Sequence, residues 1–151
     1  MTLPADITER PLQAADLPAL HALHAEVMAA LPDASMFNLF GGAASFFGSH
    51  FGTRGESLGL FRGPQLLAYG ALTRPQAGDA DNYATYLDWP SERAARVALL
   101  SAAMVAPGER RQRLHTALIA ARLALAQTRQ VLELLARAAP GNALSRQALM
   151  G

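Results

Sequence analysis

Leu17, Leu20, Leu23, His24, Val27 and Leu31 recur at helical spacing, which predicts one amphipathic helix. Asp16 stands where an N-cap belongs, Pro18 falls in the first turn, and Pro32 stops the helix. Ahead of it, Ile7 to Leu12 reads as a short strand closed by Pro11. Asp33 to Thr53 is rich in glycine and aromatic residues and reads as a second helical or mobile segment without sharp boundaries. Two apolar runs, Leu58 to Arg62 and Leu66 to Leu72, flank Gly63-Pro64-Gln65 and predict a hairpin. Pro75 to Asn82 is a polar loop.

After a short lead at Ser91 to Arg93, Val97 to Val105 is a long apolar run that fits a central strand buried on both faces. Ala98, Ala102 and Ala103 weaken that reading, so the pattern leaves a helix open. Pro107-Gly108 ends the run. Leu114, Leu118, Ala121 and Leu125 mark the clearest helix, Leu114 to Gln127. Gln130 to Arg137 reads as a further strand, Pro140-Gly141 as a turn, and Asn142 as the N-cap of a last helix. Strand, helix and strand in that order form a βαβ unit, which implies a parallel pair joined by a crossover. The expected class is α/β (α+β by some conventions), with a mixed central sheet flanked by helices.

Composition narrows the chemistry. The chain has 151 residues, 51% of them hydrophobic, which predicts one domain with a sizeable core. All 13 basic residues are arginine, against 12 acidic residues, and there is no cysteine. A net charge of +1 supplies no overall field for a nucleic acid or an anionic membrane, so neither is an expected partner. Lack of cysteine excludes a disulfide scaffold, thiolate zinc ligands and a thiol nucleophile. Lack of lysine excludes Schiff-base catalysis and a lysine-bearing phosphate loop. Met1 to Arg10 has no signal-peptide pattern and no apolar run is long enough for a membrane helix, so a cytoplasmic location is expected.

One segment carries binding chemistry. Ala106-Pro107-Gly108-Glu109-Arg110-Arg111-Gln112-Arg113 joins the central strand to the next helix. Its helix end offers unpaired amides and a positive dipole, and Arg110, Arg111 and Arg113 add charge there. A diphosphate fits such a loop; a solvated, ligand-free first turn fits the same residues. Arg93, Arg96, Arg122, Arg129 and Arg137 are spread evenly and read as solvated faces. His21 and His24 share a helix face without a third ligand, so no metal is expected. Ser101 has no histidine and aspartate at a recognisable spacing, which argues against a serine hydrolase.

Val105-x-Pro107-x-x-Arg110-x-x-Arg113-x-His115 resembles the acyl-CoA-binding motif V-x-P-x-x-[QR]-x-x-G-x-[GA] of the GNAT superfamily of N-acyltransferases. Pro140-x-Asn142-x-x-Ser145 resembles the P-x-N-x-x-S that opens the fourth helix of one GNAT subgroup, and the order of elements agrees over most of the chain. The resemblance implies direct transfer of an acetyl group from acetyl-CoA to an amine, with a small-molecule acceptor the first expectation. A catalytically silent acyl-CoA-binding or regulatory module is the alternative. It implies that backbone groups of Ala103, Met104 and Val105 hold the pantetheine arm. Arg110, Arg111, Gln112, Arg113, Leu114, His115 and Thr116 would cradle the pyrophosphate, and Asn142 and Ser145 would meet the cofactor from the fourth helix.

This sequence departs from the pattern at both motif glycines, which are Arg113 and His115, where a Cβ either crowds the pyrophosphate or brings a new donor. The family's general-acid tyrosine falls at Leu149, and the sequence ends at Gly151, about where the family continues into its last two strands. Residues 1–151 are therefore expected to form a single GNAT-like domain lacking those strands, with a homodimer implied by the family. No general base is assigned; Glu56, His50 and Glu92 are the candidates, with Asp88 near them in sequence. Tyr83, Tyr86 and Trp89 either line an acceptor pocket or pack in the core.

Overall fold

The computed structural model describes residues 3–32, 39, 42–52, 55–75, 88–129 and 133–136, with 110–112 and 133–136 described by backbone alone. Strands β1 (Ile7–Pro11), β2 (Gly55–Arg62), β3 (Gln65–Thr73), β4 (Val97–Val105) and β5 (Glu133–Ala136) form one sheet in sequential order. The first four are antiparallel and β5 runs parallel to β4, as the strand–helix–strand order requires. The run from Val97 is thus a strand despite its alanines. Flanked by β3 and β5, its small residues let helices approach both faces closely.

Helices α1 (Leu17–Ala30) and α2 (Ala43–Gly48) cover one face of the sheet. Leu20, Leu23 and Val27 of α1 and Phe46 and Phe47 of α2 pack there on Tyr69, Ala71, Ala102 and Met104. The opposite face carries α4 (Leu114–Thr128), whose Leu114 and Leu118 pack on Leu60, Leu67, Ala68 and Val105. Alternation along β3 explains the division: Ala68 and Leu72 face α4, while Tyr69 and Ala71 face α1. A four-residue helix, α3 (Ser91–Ala94), leads into β4.

Two expectations need correction. Asp16 does not cap α1. Its carboxylate accepts the Gln13 amide at 2.8 Å and pairs with the Arg10 guanidinium, closing a 3-10 turn, Ala14–Asp16, before the helix. Arg122 is not on a solvated face: it is only 2% exposed and lies in the buried stripe of α4 with Leu114, Leu118 and Ala126.

Arg122 is buried because β4 contains a bulge. Ala71 pairs with Ala102 and Leu72 with Leu100, so Ser101 is the extra residue. The guanidinium Nη1 donates to the carbonyls of Ala71 and Ala102, each at 3.0 Å, and Nε donates to Leu118 at 3.2 Å. Burial pulls the Arg122 pKa down to about 10, which leaves the group charged at neutral pH. Space for it exists because β3 has glycine at position 70, where a Cβ would stand 2.9 Å from the Arg122 Nε. Gly70→Ala is therefore expected to lower stability by about 1–3 kcal/mol through overpacking. Urea unfolding monitored by circular dichroism checks this; an unchanged midpoint would show that the guanidinium moves aside freely.

Candidate functional site

The C-terminal half of β4 and the start of α4 form a continuous edge. β5 pairs with Val97 to Leu100, and among the described residues nothing pairs with β4 on that side from Ser101 to Val105. The chain then turns through a 3-10 segment, Pro107–Gln112, into α4. This turn is anchored on both sides. The Ala106 amide donates to Leu67 at 2.8 Å, and Arg62 at the end of β2 grips Glu109 with two bonds of 2.7 and 3.2 Å. Arg62 also donates to Asp6 at 2.7 Å, and these bonds hold both carboxyls below their ordinary range.

Arg113 links the turn to α4 with φ 58° and ψ 30°, the left-handed region. This is the position at which the motif has glycine, so the backbone keeps the conformation that glycine would favour although the side chain is arginine. The Arg113 side chain is exposed, and its Cβ is not packed into the core. Leu114 is buried beneath the turn, whereas His115 and Thr116 are half-buried. Amides of the first helical turn have no acceptor within the helix, so this end offers hydrogen-bond donors to an anion. The expected binding residues Ala103, Met104, Val105 and 110–116 are thus contiguous in space along one edge. Asn142 and Ser145 lie outside the described residues, as do Tyr83 and Tyr86.

The three candidate bases occupy different environments. Glu92 is on α3, before the start of β4, with a side chain 85% exposed and 3.8 Å from Arg96. Nine residues of β4 separate it from the turn, roughly 30 Å of extended chain. Glu56 on β2 accepts two bonds from Arg129, at 2.6 and 3.0 Å, and one from Arg74 at 3.1 Å. Arg129 foremost, with Arg74 adding to it, holds this carboxyl below its ordinary value of 4.5, so it is an ion-pair anchor and a weak proton acceptor.

His50 is 3% exposed and follows α2. Its ring stacks on Phe46 with centroids 4.1 Å apart, and a Cβ at Gly55 would collide with it. Nδ1 lies 2.7 Å from the Phe46 carbonyl and 3.0 Å from the Ser49 hydroxyl; Nε2 lies 2.6 Å from the Thr73 hydroxyl. Thr73 in turn hydrogen-bonds Ser101, the bulge residue of β4. Neither Thr73 nor Ser101 stands out in the sequence as a partner of His50, because the contacts span 23 and 28 residues.

No family profile and no curated protein matches the sequence. Solved structures do match. The GNAT domain of S. lividans PAT superposes with a TM-score of 0.69 at 17% identity, over 94% of this chain and 77% of its own. The chain has the GNAT fold. The ribosomal-protein-S18-alanine N-acetyltransferase of Escherichia coli gives a TM-score of 0.64 at 21% identity, covering 95% of this chain and 74% of its own. The aminoglycoside N-acetyltransferase AAC(6')-Iy, in complex with a bisubstrate analogue of CoA and acetylneamine, gives 0.66 at 14% identity, covering 95% and 87%. Within this GNAT fold the described residues contain no helix long and apolar enough to cross a membrane. They also contain no group of three His, Asp or Glu side chains able to hold a metal ion.

The Glu56 ion pairs predict a pH signature. A lowered folded-state pKa contributes stability that is present above 4.5 and is lost as pH falls through the folded value. Glu56→Gln is expected to cost about 1 kcal/mol at pH 7, with the deficit closing below that value. Thermal melts of both proteins at pH 7 and pH 3 check it; an equal deficit at both would place the effect in packing.

Proposed function

We propose that this chain is an N-acetyltransferase that moves an acetyl group from acetyl-CoA directly to an amine. One observation carries the reading: among the described residues nothing pairs with β4 on the β5 side from Ser101 onward, and that edge runs into the anchored turn and the head of α4. An extended pantetheine arm hydrogen-bonds such an edge as a strand would, through the backbone of Ala103, Met104 and Val105. The pyrophosphate then meets the amides of Arg110, Arg111, Gln112, Arg113, Leu114, His115 and Thr116. Asn142 and Ser145 complete the contact from the segment that follows β5. The GNAT-fold proteins that it resembles include one seen with CoA and enzymes described as acting on aminoglycosides or on a ribosomal protein.

A small-molecule amine is the favoured acceptor, because the sequence has no acidic run to attract a basic peptide. We take residues 1–151 as one domain working in the cytoplasm, with a homodimer as its assembly. Rate enhancement comes from holding the thioester carbonyl against the acceptor nitrogen and polarising it with backbone donors. No covalent enzyme intermediate is needed, consistent with a chain that has no cysteine. Arginine and histidine at the motif's glycine positions favour a second reading, a silent acyl-CoA-binding module. Titration calorimetry with CoA, alongside CoA release from acetyl-CoA with neamine, spermidine and an N-terminal alanine peptide, separates the two. Binding with turnover supports transfer, binding alone supports the silent module, and no binding overturns both.

Two substitutions test the cradle. Arg110→Ala is expected to weaken CoA binding by about 1–3 kcal/mol, the range of a charged hydrogen bond. Arg113→Gly should separate strain from contact. Relief of the left-handed backbone raises stability by about 1 kcal/mol, while loss of the guanidinium lowers CoA affinity several-fold. A variant that gains stability and binds CoA more tightly would show that the Arg113 side chain crowds the phosphates.

A further inference from the structure

We propose that Ser101, Thr73 and His50 form a proton relay that deprotonates the acceptor amine, with the Ser101 hydroxyl facing the reacting nitrogen and His50 as the terminal acceptor. The proposal rests on the transfer reading above. The geometry assigns a direction to the chain. A carbonyl only accepts, so the bond at 2.7 Å to Phe46 places the imidazole hydrogen on Nδ1 and leaves the lone pair on Nε2. Nε2 then accepts from the Thr73 hydroxyl at 2.6 Å, and Thr73 Oγ1 accepts from Ser101. The lone pairs of Ser101 remain for an external donor. Ser101 is half-buried at the first β4 position beyond the described β5 pairing, and among the described residues it alone of the three lies on the edge of β4 without a strand beside it.

The imidazole is set for this role by its surroundings. Ser57 donates to the His50 carbonyl at 3.0 Å, Phe46 stacks on the ring, and Gly55 leaves space for it. Phe46 and Ser49 meet Nδ1, so the hydrogen there is retained when Nε2 gains a second one. Charged and titratable groups on the packed elements are engaged nearby. His21 and His24 of α1 stand edge-on to Phe47, and Glu56 of β2 pairs with Arg74, which follows β3, and with Arg129. Arg122 lies across the sheet, bonded to the two bulge carbonyls and to Leu118.

In the step, an acceptor ammonium gives one proton to Ser101 Oγ as the Ser101 proton passes to Thr73 and the Thr73 proton passes to Nε2. The freed nitrogen lone pair forms a bond to the thioester carbonyl carbon, the carbon–sulfur bond breaks, and CoA leaves as a thiolate. A second proton from the same nitrogen neutralises that thiolate, giving an amide and free CoA. His50 returns its proton through the two hydroxyls to water once the products leave.

The test measures kcat and KM against pH for the unaltered chain, Ser101→Ala, Thr73→Val and Thr73→Ser, using the most active of neamine, spermidine and the alanine peptide. Ser101→Ala and Thr73→Val are expected to lower kcat about 100-fold, the scale of positioned proton transfer. KM for acetyl-CoA should stay within twofold, and the acid limb of the kcat profile should disappear. Thr73→Ser restores the hydroxyl and should retain both rate and acid limb. Should Thr73→Val fail to fold, Ser101→Ala and the retained acid limb of Thr73→Ser decide. An unchanged acid limb in Ser101→Ala overturns the relay alone. Absence of turnover in the unaltered chain overturns the transfer reading, and the relay with it.

Discussion

The seat of Arg122 in the β4 bulge is the contact on which the rest of the architecture depends. A bulge disrupts the ladder beside the Ala71 and Ala102 carbonyls, and a buried carbonyl without a donor costs about 1–3 kcal/mol. One guanidinium from α4 satisfies both, at 3.0 Å each. It also ties the middle of α4 to the point where β4 changes register, which fixes the helix start relative to the strand end. A glycine beneath the guanidinium makes the approach possible, so a β3 residue, a β4 irregularity and an α4 charge act as one unit.

That unit divides the work of the two sheet faces. On the α4 face it positions the anchored turn at Pro107–Gln112, whose outer side is gripped by Arg62 through Glu109. On the α1 face the extra residue brings the Ser101 hydroxyl to Thr73, and through it to His50. The stretch of β4 that leads into the anchored turn is therefore also the one linked to a buried imidazole. Arg113 shows the same economy at smaller scale: the left-handed backbone of the turn persists without glycine because the anchored ends impose it.

Element types followed from local physics. The stripe of α1, the hairpin around Gly63-Pro64 and the stop at Pro107-Gly108 depend on side-chain period and turn chemistry, which neighbours in sequence determine. The parallel placement of β5 beside β4 followed from chain order. His50 and Glu56 were visible as titratable residues, but their roles diverge for reasons outside their own segments. Arginines from β3's end and from beyond α4 neutralise Glu56, whereas His50 is surrounded by hydroxyls, a carbonyl and a phenyl ring.

By itself, then, the sequence determined the class of fold, the exclusion of chemistries that need cysteine or lysine, and the place of the turn between β4 and α4, because composition, periodicity and turn residues act over a few positions. Tertiary structure alone decided that Arg122 is interior, that Asp16 closes a turn with Arg10, and that Ser101 is a bulge residue bonded to Thr73. A charged residue four positions from Leu118 on a helix reads as surface until a partner strand supplies carbonyls for it. A hydroxyl in an apolar strand reads as incidental until the register brings another hydroxyl opposite. Burial and register are properties of packed elements, and no local pattern encodes which polar group will meet which.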